Sequence, residues 1–554
     1  MVELVDVKVR LDSLTISDGS IVKMGGGDAL IVVGPNNSGK SQLLRDVEGL
    51  FRRDHNSSFV GKVVKEVGII SPMSMDVSEA LAALREDETD YYSSYGVRVH
   101  KNHVHNALHL VDQPPKFGET AAFFVKRISS DDRLSVVAPS SAMDAEGPKT
   151  PGQVLYDNQS LLTSVSTIFK RAFVKDLFLD YRSGGSIPIY VGEKPALPHG
   201  ADRVSDEYVK LVRACDKLHE QGDGMKSFGG ILLSTLVVNY NITLIDEPEA
   251  FLHPPQERII GKILADEATG QVICSTHSTN VLQGFLESQR ESVRVMRITR
   301  GGDLNQVSEI SPDEIKELWR DPVFRYSTAL DALFHDQAIL CEADADCRFF
   351  EAVSSQSATQ VAVDSHYIPC GGKAAFPKFI RALRKLSIPV RAILDLDVLN
   401  DEETIKKIYE AQDGTWSDVS QLWRRLDQAI RDGVAVESVE ASKTRLRELL
   451  DDWHEGSPPT SDIVEVLKQK KPWGKVKAGG LAAVPPGDAR RYADELLEAL
   501  AAKHIYPIPV GTLENFVRSV GNHGIKWLNE VLSTYTLSSA KLREAREFVS
   551  TVLR

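Results

Sequence analysis

Ala29-Leu-Ile-Val-Val-Gly-Pro-Asn-Asn-Ser-Gly-Lys-Ser41 is the stretch whose reading decides the fold. Five consecutive apolar residues, too few for a helix, predict a strand buried on both faces. Gly34, four residues and Gly39-Lys40-Ser41 then follow the phosphate-loop pattern, and Ser41-Gln-Leu-Leu-Arg45 opens a helix. Strand, glycine turn and helix are the context that this pattern requires. The loop backbone from Gly34 through Asn37 to Gly39 can curl so that its N–H groups converge on a phosphate. Lys40 neutralises β- and γ-phosphate charge, and the Ser41 hydroxyl can ligate Mg²⁺. Nucleotide binding is therefore the first expectation.

Outward from this motif, the 554 residues exceed one ordinary core, and typical domain sizes predict about three to four compact units. Hydrophobic residues at 42% and charged residues at 26% describe an ordinary globular chain. The net charge of −13 excludes a surface that is basic all over, so any nucleic-acid contact must be a local groove. The five cysteines form no CxxC pair, which fits a reducing compartment better than a disulfide framework. The N-terminus alternates like a strand and lacks the regions of a secretory signal. The most apolar stretch, Gly229 to Ile245, is interrupted by Asn239 and Asn241. A cytoplasmic location and no membrane partner are expected.

Along the first half, strand, turn, strand, phosphate loop and helix give way after about Asp87 to a region without βα alternation, read as an inserted lobe of about 87–200. Its histidines His100, His103, His105 and His109 lack carboxylate or cysteine partners at ligand spacing and read as a surface face. Alternation returns at Asn241-Ile-Thr-Leu-Ile-Asp-Glu-Pro-Glu249, a strand ending in paired acids. Asp246 is placed to hold Mg²⁺, and Glu247 to polarise an attacking water. Gln271-Val-Ile-Cys-Ser-Thr-His-Ser278 is a further strand, ending at His277. Upstream, the turn Gln221-Gly-Asp-Gly-Met-Lys-Ser227 opens an apolar helix, and its amides with Gly224 and Ser227 could meet a phosphate.

This ordered set resembles an ABC-type ATPase of the SMC-like branch. The resemblance implies that Glu247 is the catalytic base, that His277 senses the γ-phosphate, and that the signature from Gly222 to Ser227 acts on ATP held by a second head. A homodimer or a higher even oligomer through ATPase heads follows. The usual Leu-Ser-Gly-Gly signature is replaced by Gly222-Asp-Gly-Met-Lys-Ser227, and no Q-loop glutamine occurs between Leu50 and Asp87.

The second half carries another α/β pattern. Ala338-Ile-Leu-Cys-Glu342 is a strand ending in an acid and followed by Asp344 and Asp346. Cys370-Gly-Gly-Lys373 is a glycine turn, and Val390-Arg-Ala-Ile-Leu-Asp-Leu-Asp397 is a strand ending in Asp-x-Asp. Carboxylates at the carboxyl ends of parallel strands converge and, with Mg²⁺, suit phosphodiester chemistry. A helical insertion of about 401–503 follows. Its basic stretch Lys468-Gln-Lys-Lys-Pro-Trp-Gly-Lys-Val-Lys477 is either a phosphate-and-base contact or a solvated loop.

These residues resemble a Toprim domain, and Toprim behind an SMC-like ATPase resembles the OLD (overcoming lysogenization defect) family, which includes the Gabija nuclease and related retron and PARIS phage-defence effectors. The resemblance implies that Glu342, Asp395 and Asp397 are metal ligands and catalytic residues, with Asp346 and Glu514 as further ligands of a two-metal site. Lys475 or Lys477 would supply a lysine near the scissile phosphate. The expected fold is α/β: an ABC/SMC-like P-loop ATPase domain (1–325) with its inserted lobe, then a Toprim domain (326–554) with its helical insertion. The expected function is ATP-regulated, Mg²⁺- or Mn²⁺-dependent cleavage of DNA in defence against phage, with a defence-system partner protein possible. The alternatives are cleavage of RNA such as tRNA, and an ATP-dependent sensor or scaffold with a degenerate nuclease site.

Overall fold

The computed structural model describes residues 9–53, 57–70, 90–94, 97–108, 117–143, 148–238, 240–325, 328–356, 364–433, 439–453, 459–468 and 472–554. The chain divides into two compact units, Met1–Glu317 and Leu318–Arg554. This is fewer than length alone predicts, because each unit carries a long insertion.

The first unit is built on a six-stranded sheet. Its order is Leu304–Ile310, Val293–Gly301, Ala29–Val33, Gln271–Ser275, Ile242–Asp246 and Val125–Ile128. All neighbours are parallel except the first pair, a hairpin. Ala29–Val33 and Gln271–Ser275 are buried along their whole length, as expected for parallel strands covered on both faces. The register Val272↔Ala29 and Ile242↔Gln271 brings the carboxyl ends of these strands to one edge, where the phosphate loop also starts. A small antiparallel sheet of Ile21–Lys23, Arg10–Ile16 and Val64–Ile70 belongs to the same unit, and its Leu11, Leu14 and Val64 share a core with Leu30, Val32 and Leu43.

Within the range expected as an inserted lobe, Val125–Ile128 is the edge strand of the main sheet, paired with Ile242–Ile245. The lobe is thus split. A hairpin of Tyr91–Ser94 and Val97–His100 precedes this strand. After it come helices Pro151–Asp157 and Gln159–Phe173 and a three-stranded antiparallel sheet of Asp176–Leu179, Ile189–Gly192 and Asp216–Lys217. His100 ends the hairpin and His103 lies on the helix after it, whereas the side chain of His105 and all of His109 fall outside the described residues.

The second unit has a four-stranded, fully parallel sheet in the order Ser365–Pro369, Gln337–Cys341, Val390–Leu394 and Ile505–Pro507. In chain order this is 2-1-3-4, so the direction of winding reverses between the first and third strands. Such a reversal opens a crevice at their carboxyl ends. The helix Asp344–Ser354 packs against Gly524–Thr534 and Arg543–Leu553 through Phe349, Phe350, Phe516 and Trp527. Between the third and fourth strands, the described residues of the insertion are helical: Glu402–Ala411, Ser417–Gly433, Val439–Asp451, Thr460–Lys468, Pro472–Gly479 and Asp488–Ala501.

Candidate functional sites: a phosphate-loop cleft and an acidic strand-end cluster

In the first unit the phosphate loop leads into the helix Lys40–Phe51, with Gly39 in the left-handed conformation at its N-cap. Gly34 is required: a Cβ there would lie 2.1 Å from the Ile298 carbonyl oxygen. Asn37 also has positive φ (61°), and Asn305 Nδ2 donates to the Ser38 carbonyl at 2.6 Å, pinning the loop from the hairpin. The Ser38 hydroxyl is buried without a partner, and the cradle keeps Cβ atoms out, so the residues fit a phosphate group. The cleft, about 600 Å³, is lined by Asn37, Lys40, Ser41, Glu247 and His277, with Arg300 and Asp303 from the hairpin, and is large enough for a nucleotide.

Lys40 Nζ donates to the carbonyls of Gly34 and Pro35, both at 2.7 Å. Burial lowers its pKa to about 8, against the opposing pull of Glu247, Glu249 and Asp246. Asp246 accepts a bond from Ser275 Oγ at 2.6 Å. Glu247 follows in the left-handed region at φ 46°, and His277 Nε2 lies 3.7 Å from its Oε1. Burial, with Lys40 alongside, lowers His277 to about 4, so it is neutral at physiological pH.

Two groups that the sequence reading did not single out support this edge. Glu249 accepts from the His277 amide at 2.6 Å and from Thr276 Oγ1 at 2.9 Å, and burial raises its pKa to about 7. The fully buried Arg133 donates to the Glu247 carbonyl at 3.0 Å. Glu249 sat visibly in the Asp-Glu-Pro-Glu run, whereas nothing in the sequence distinguished Arg133.

The expectation for the Gly222–Ser227 turn is corrected in part. Gly222 is the N-cap of the helix Asp223–Leu232, as read, but Ser227 is turned inward, fully buried, with Oγ donating to the Ala250 carbonyl at 3.2 Å. Five residues past the cap, it joins the apolar face with Phe228 and Ile231 and cannot meet a phosphate. Gly224 is close-packed, since a Cβ there would lie 2.7 Å from the Phe251 carbonyl oxygen. The exposed part of the turn is Gly222-Asp223.

In the second unit Glu342, Asp395 and Asp397 each offer an oxygen, and these atoms lie within 4.8 Å of one another. Glu342 follows the first strand of the sheet and Asp395 the third, at the point where the winding reverses. Glu342 Oε1 accepts the Asp395 amide at 3.0 Å, while the amides of Gly371 and Gly372 donate to the Glu342 carbonyl, both at 3.0 Å. The glycine turn therefore fixes the backbone of the first acid. Burial, then the charge of Glu342, raises Asp395 to about 7. Burial also raises Glu342. Such a surplus of negative charge among hard oxygen donors fits a divalent cation such as Mg²⁺ or Mn²⁺.

Asp397 differs. Burial works to raise it, but Lys477 at 2.8 Å and Lys373 at 3.1 Å outweigh burial and its pKa falls. Lys477 Nζ also lies 3.4 Å from Asp395. The structure thus separates the two lysines that the sequence left open: Lys477, not Lys475, reaches the carboxylates. The Asn515 amide holds its carbonyl at 3.2 Å. Lys373, from the Gly-Gly-Lys turn, was missed, although the motif was visible.

Asp346 and Glu514 are not among the three clustered acids. Asp346 accepts its own helix-cap amide from Ala343 at 2.8 Å, and burial, with Glu342 and Glu514 nearby, raises it to about 6. Glu514 accepts the Gly524 amide at 3.1 Å. Trp473, in the basic stretch read as either a phosphate-and-base contact or a solvated loop, is buried and donates to Asp427 Oδ1 at 2.7 Å, so it anchors the Pro472–Gly479 helix. Lys470 and Lys471 lie outside the described residues.

Comparison with known proteins agrees with this division. Residues 333–397 match the family model "Overcoming lysogenization defect protein-like, TOPRIM domain", and residues 217–283 match "AAA domain, putative AbiEii toxin, Type IV TA system". An OLD nuclease from Thermus scotoductus is 29% identical over 260 residues, covering 41% of this chain and 47% of that protein. The cytochrome c biogenesis ATP-binding export protein CcmA of Gluconobacter oxydans is 41% identical over 54 residues, covering 10% of this chain and 26% of that one. The chain thus spans less than half the length of these curated relatives. Solved structures include an SMC head bound to the C-winged helix domain of ScpA, with TM-score 0.33 and 12% identity over 56% of this chain and 99% of that one. The SMC head domain from Thermotoga maritima has TM-score 0.28 and 11% identity over 55% and 99%.

Sheet order, phosphate loop and strand-end acids define the class, a P-loop ATPase domain of ABC/SMC-like fold joined to a Toprim domain. The matched Toprim model and the OLD nuclease relative make the chain similar to OLD-family ATPase–Toprim proteins. Among the described residues no helix is long and apolar enough to cross a membrane.

Proposed function

We propose that this chain is an ATP-regulated endonuclease that requires a divalent metal and hydrolyses phosphodiester bonds in DNA, acting in the bacterial cytoplasm against phage. The observation that carries the reading is the convergence of Glu342, Asp395 and Asp397 beside Lys477 and Lys373. A divalent cation on these carboxylates supplies Lewis acidity and lowers the pKa of water. Glu342 and Asp395 would hold it, and Asp346, which interacts electrostatically with Glu342 and Glu514, and Glu514 itself are the further carboxylates for a second ion. Lys477, shared between Asp395 and Asp397, is placed to neutralise charge on a bound phosphodiester. In the first unit, Ser41 and Asp246 would hold the Mg²⁺ of ATP, Lys40 its terminal phosphates, and Glu247 the attacking water, with neutral His277 as a hydrogen-bonding partner. The defence role and the pairing of heads rest on the family resemblance.

The test is conversion of supercoiled plasmid to nicked and linear forms by the purified full chain with Mg²⁺ or Mn²⁺, with and without ATP, beside D395A. Metal-dependent cleavage that D395A abolishes is the expected result. Degradation of tRNA with intact plasmid would move the substrate to RNA. No cleavage of either would leave the nuclease reading without support.

A further inference from the structure

Arg133 lies on the helix Ser130–Ser135, which follows the edge strand Val125–Ile128 and starts with a capping box between Ser129 and Asp132. Its guanidinium is fully buried beneath the ATPase edge. Nη1 donates to the Glu247 carbonyl at 3.0 Å and Nη2 to Ser130 Oγ at 2.9 Å, while Nε has no partner. The charges around it are Glu249, Asp246 and Glu247, all acids of this edge. Burying a guanidinium costs several kcal/mol before its contacts offset the loss, so stability alone is a poor reason for one here.

The group that it holds is itself unusual. Glu247 has φ 46°, a region that costs a non-glycine residue on the order of 1–3 kcal/mol. Its backbone is fixed by bonds from its own N–H to the Ser275 carbonyl (2.9 Å), from Ala250 N–H to its carbonyl (3.0 Å), and from Arg133. The first two lie within the strand ends and turn, and the third comes from a different element. That element has no slack, because a Cβ at Gly230 would lie 2.0 Å from the Arg133 carbonyl oxygen. Gly230 belongs to the helix Asp223–Leu232 that starts at the Gly222 turn.

We infer that Arg133 is a positioning residue for ATP hydrolysis: it holds the Glu247 backbone so that the carboxylate lines the phosphate-loop cleft, and it ties that pose to the helix that begins at Gly222. The inference rests on Glu247 acting as the base. Misplacement of a reacting group by about 1 Å costs on the order of 10²-fold in rate. Loss of the guanidinium should therefore lower turnover without loosening the nucleotide, which Lys40 and the loop amides hold.

The test measures steady-state ATP hydrolysis and binding of a fluorescent ATP analogue by the full chain for wild type, R133M, R133K and E247Q. Thermal unfolding is followed on the same samples. In R133M, kcat is expected to fall about 10²-fold with the analogue's Kd unchanged within threefold. R133K restores the charge and one donor, so it should recover part of kcat, and it also provides the folded variant if R133M does not fold. Turnover that falls in E247Q but stands within threefold of wild type in R133K and R133M would overturn the inference alone. A loss that appears in Kd rather than kcat would also overturn it. Wild-type turnover that E247Q leaves unchanged would remove Glu247 as base, and the inference with it.

Discussion

At the scale of the residue, the most informative group is Asp397, the acid of the cluster that two lysines meet. Lys477 and Lys373 compete with any metal for its oxygens, so removing a lysine should have opposite effects on binding and on reaction. In K477M, Mn²⁺ should bind more tightly by titration calorimetry, about tenfold after discounting for the partial exposure of this lysine, while plasmid cleavage falls by at least as much. Equal losses in both would show that the lysine only supports the fold. K373M should shift Mn²⁺ affinity in the same direction by less, because Lys373 meets Asp397 alone. Lys40, Glu342, Asp395 and Asp397 were legible because each sits inside a short motif at a strand end. Arg133 and the choice of Lys477 over Lys475 were not, because they depend on where a helix returns in space. Ser227 was misread because a glycine-rich sequence reveals a helix start but not which way the fifth residue past it will face.

At the scale of the element, the phosphate loop and the strand ends around Glu249 make separate demands. A Cβ at Gly34 cannot fit against the Ile298 carbonyl, so G34A should abolish binding of a fluorescent ATP analogue while leaving metal binding at the Toprim acids unchanged. Glu249 predicts a pH signature. Its folded-state pKa, about 7, lies above its ordinary value of 4.5, so the stability linked to its proton is full below 4.5 and is lost as pH rises through about 7. E249Q carries no such proton. The wild type should therefore lose up to roughly 3 kcal/mol relative to E249Q between pH 4.5 and 7, read as the difference between their denaturation curves. A constant difference across that window would assign the buried carboxylate an ordinary pKa. The Val125–Ile128 strand shows why elements are harder to read than motifs: it has four residues, and Lys126 and Arg127 at its centre erase the apolar run that announces Ala29–Val33. It was recognisable only by its pairing.

At the scale of the whole molecule, each unit has its own core, one around Leu30, Val32 and Phe51 and the other around Phe349, Phe350 and Trp527. Calorimetry should resolve two transitions. A non-hydrolysable ATP analogue at 100 times its Kd should raise one by about 2.7 kcal/mol, and Mn²⁺ should raise the other. G34A should erase only the first shift. A single transition moved by both ligands would show that the units unfold together.

The third and fourth strands of the Toprim sheet are separated in the chain by the helical insertion, and this affects how the protein is made. Glu342, Asp395 and Asp397 are synthesised within one short stretch, but Lys477 comes 80 residues after Asp397, and the strand Ile505–Pro507 that closes the sheet comes later still. A ribosome that has just released the acids has therefore produced Lys373 but neither Lys477 nor the strand that closes the sheet beside them. Between Asp397 and Pro507 the nascent chain holds the first unit and an unfinished acidic strand edge, so a product truncated there would carry the acids without Lys477 or the closing strand.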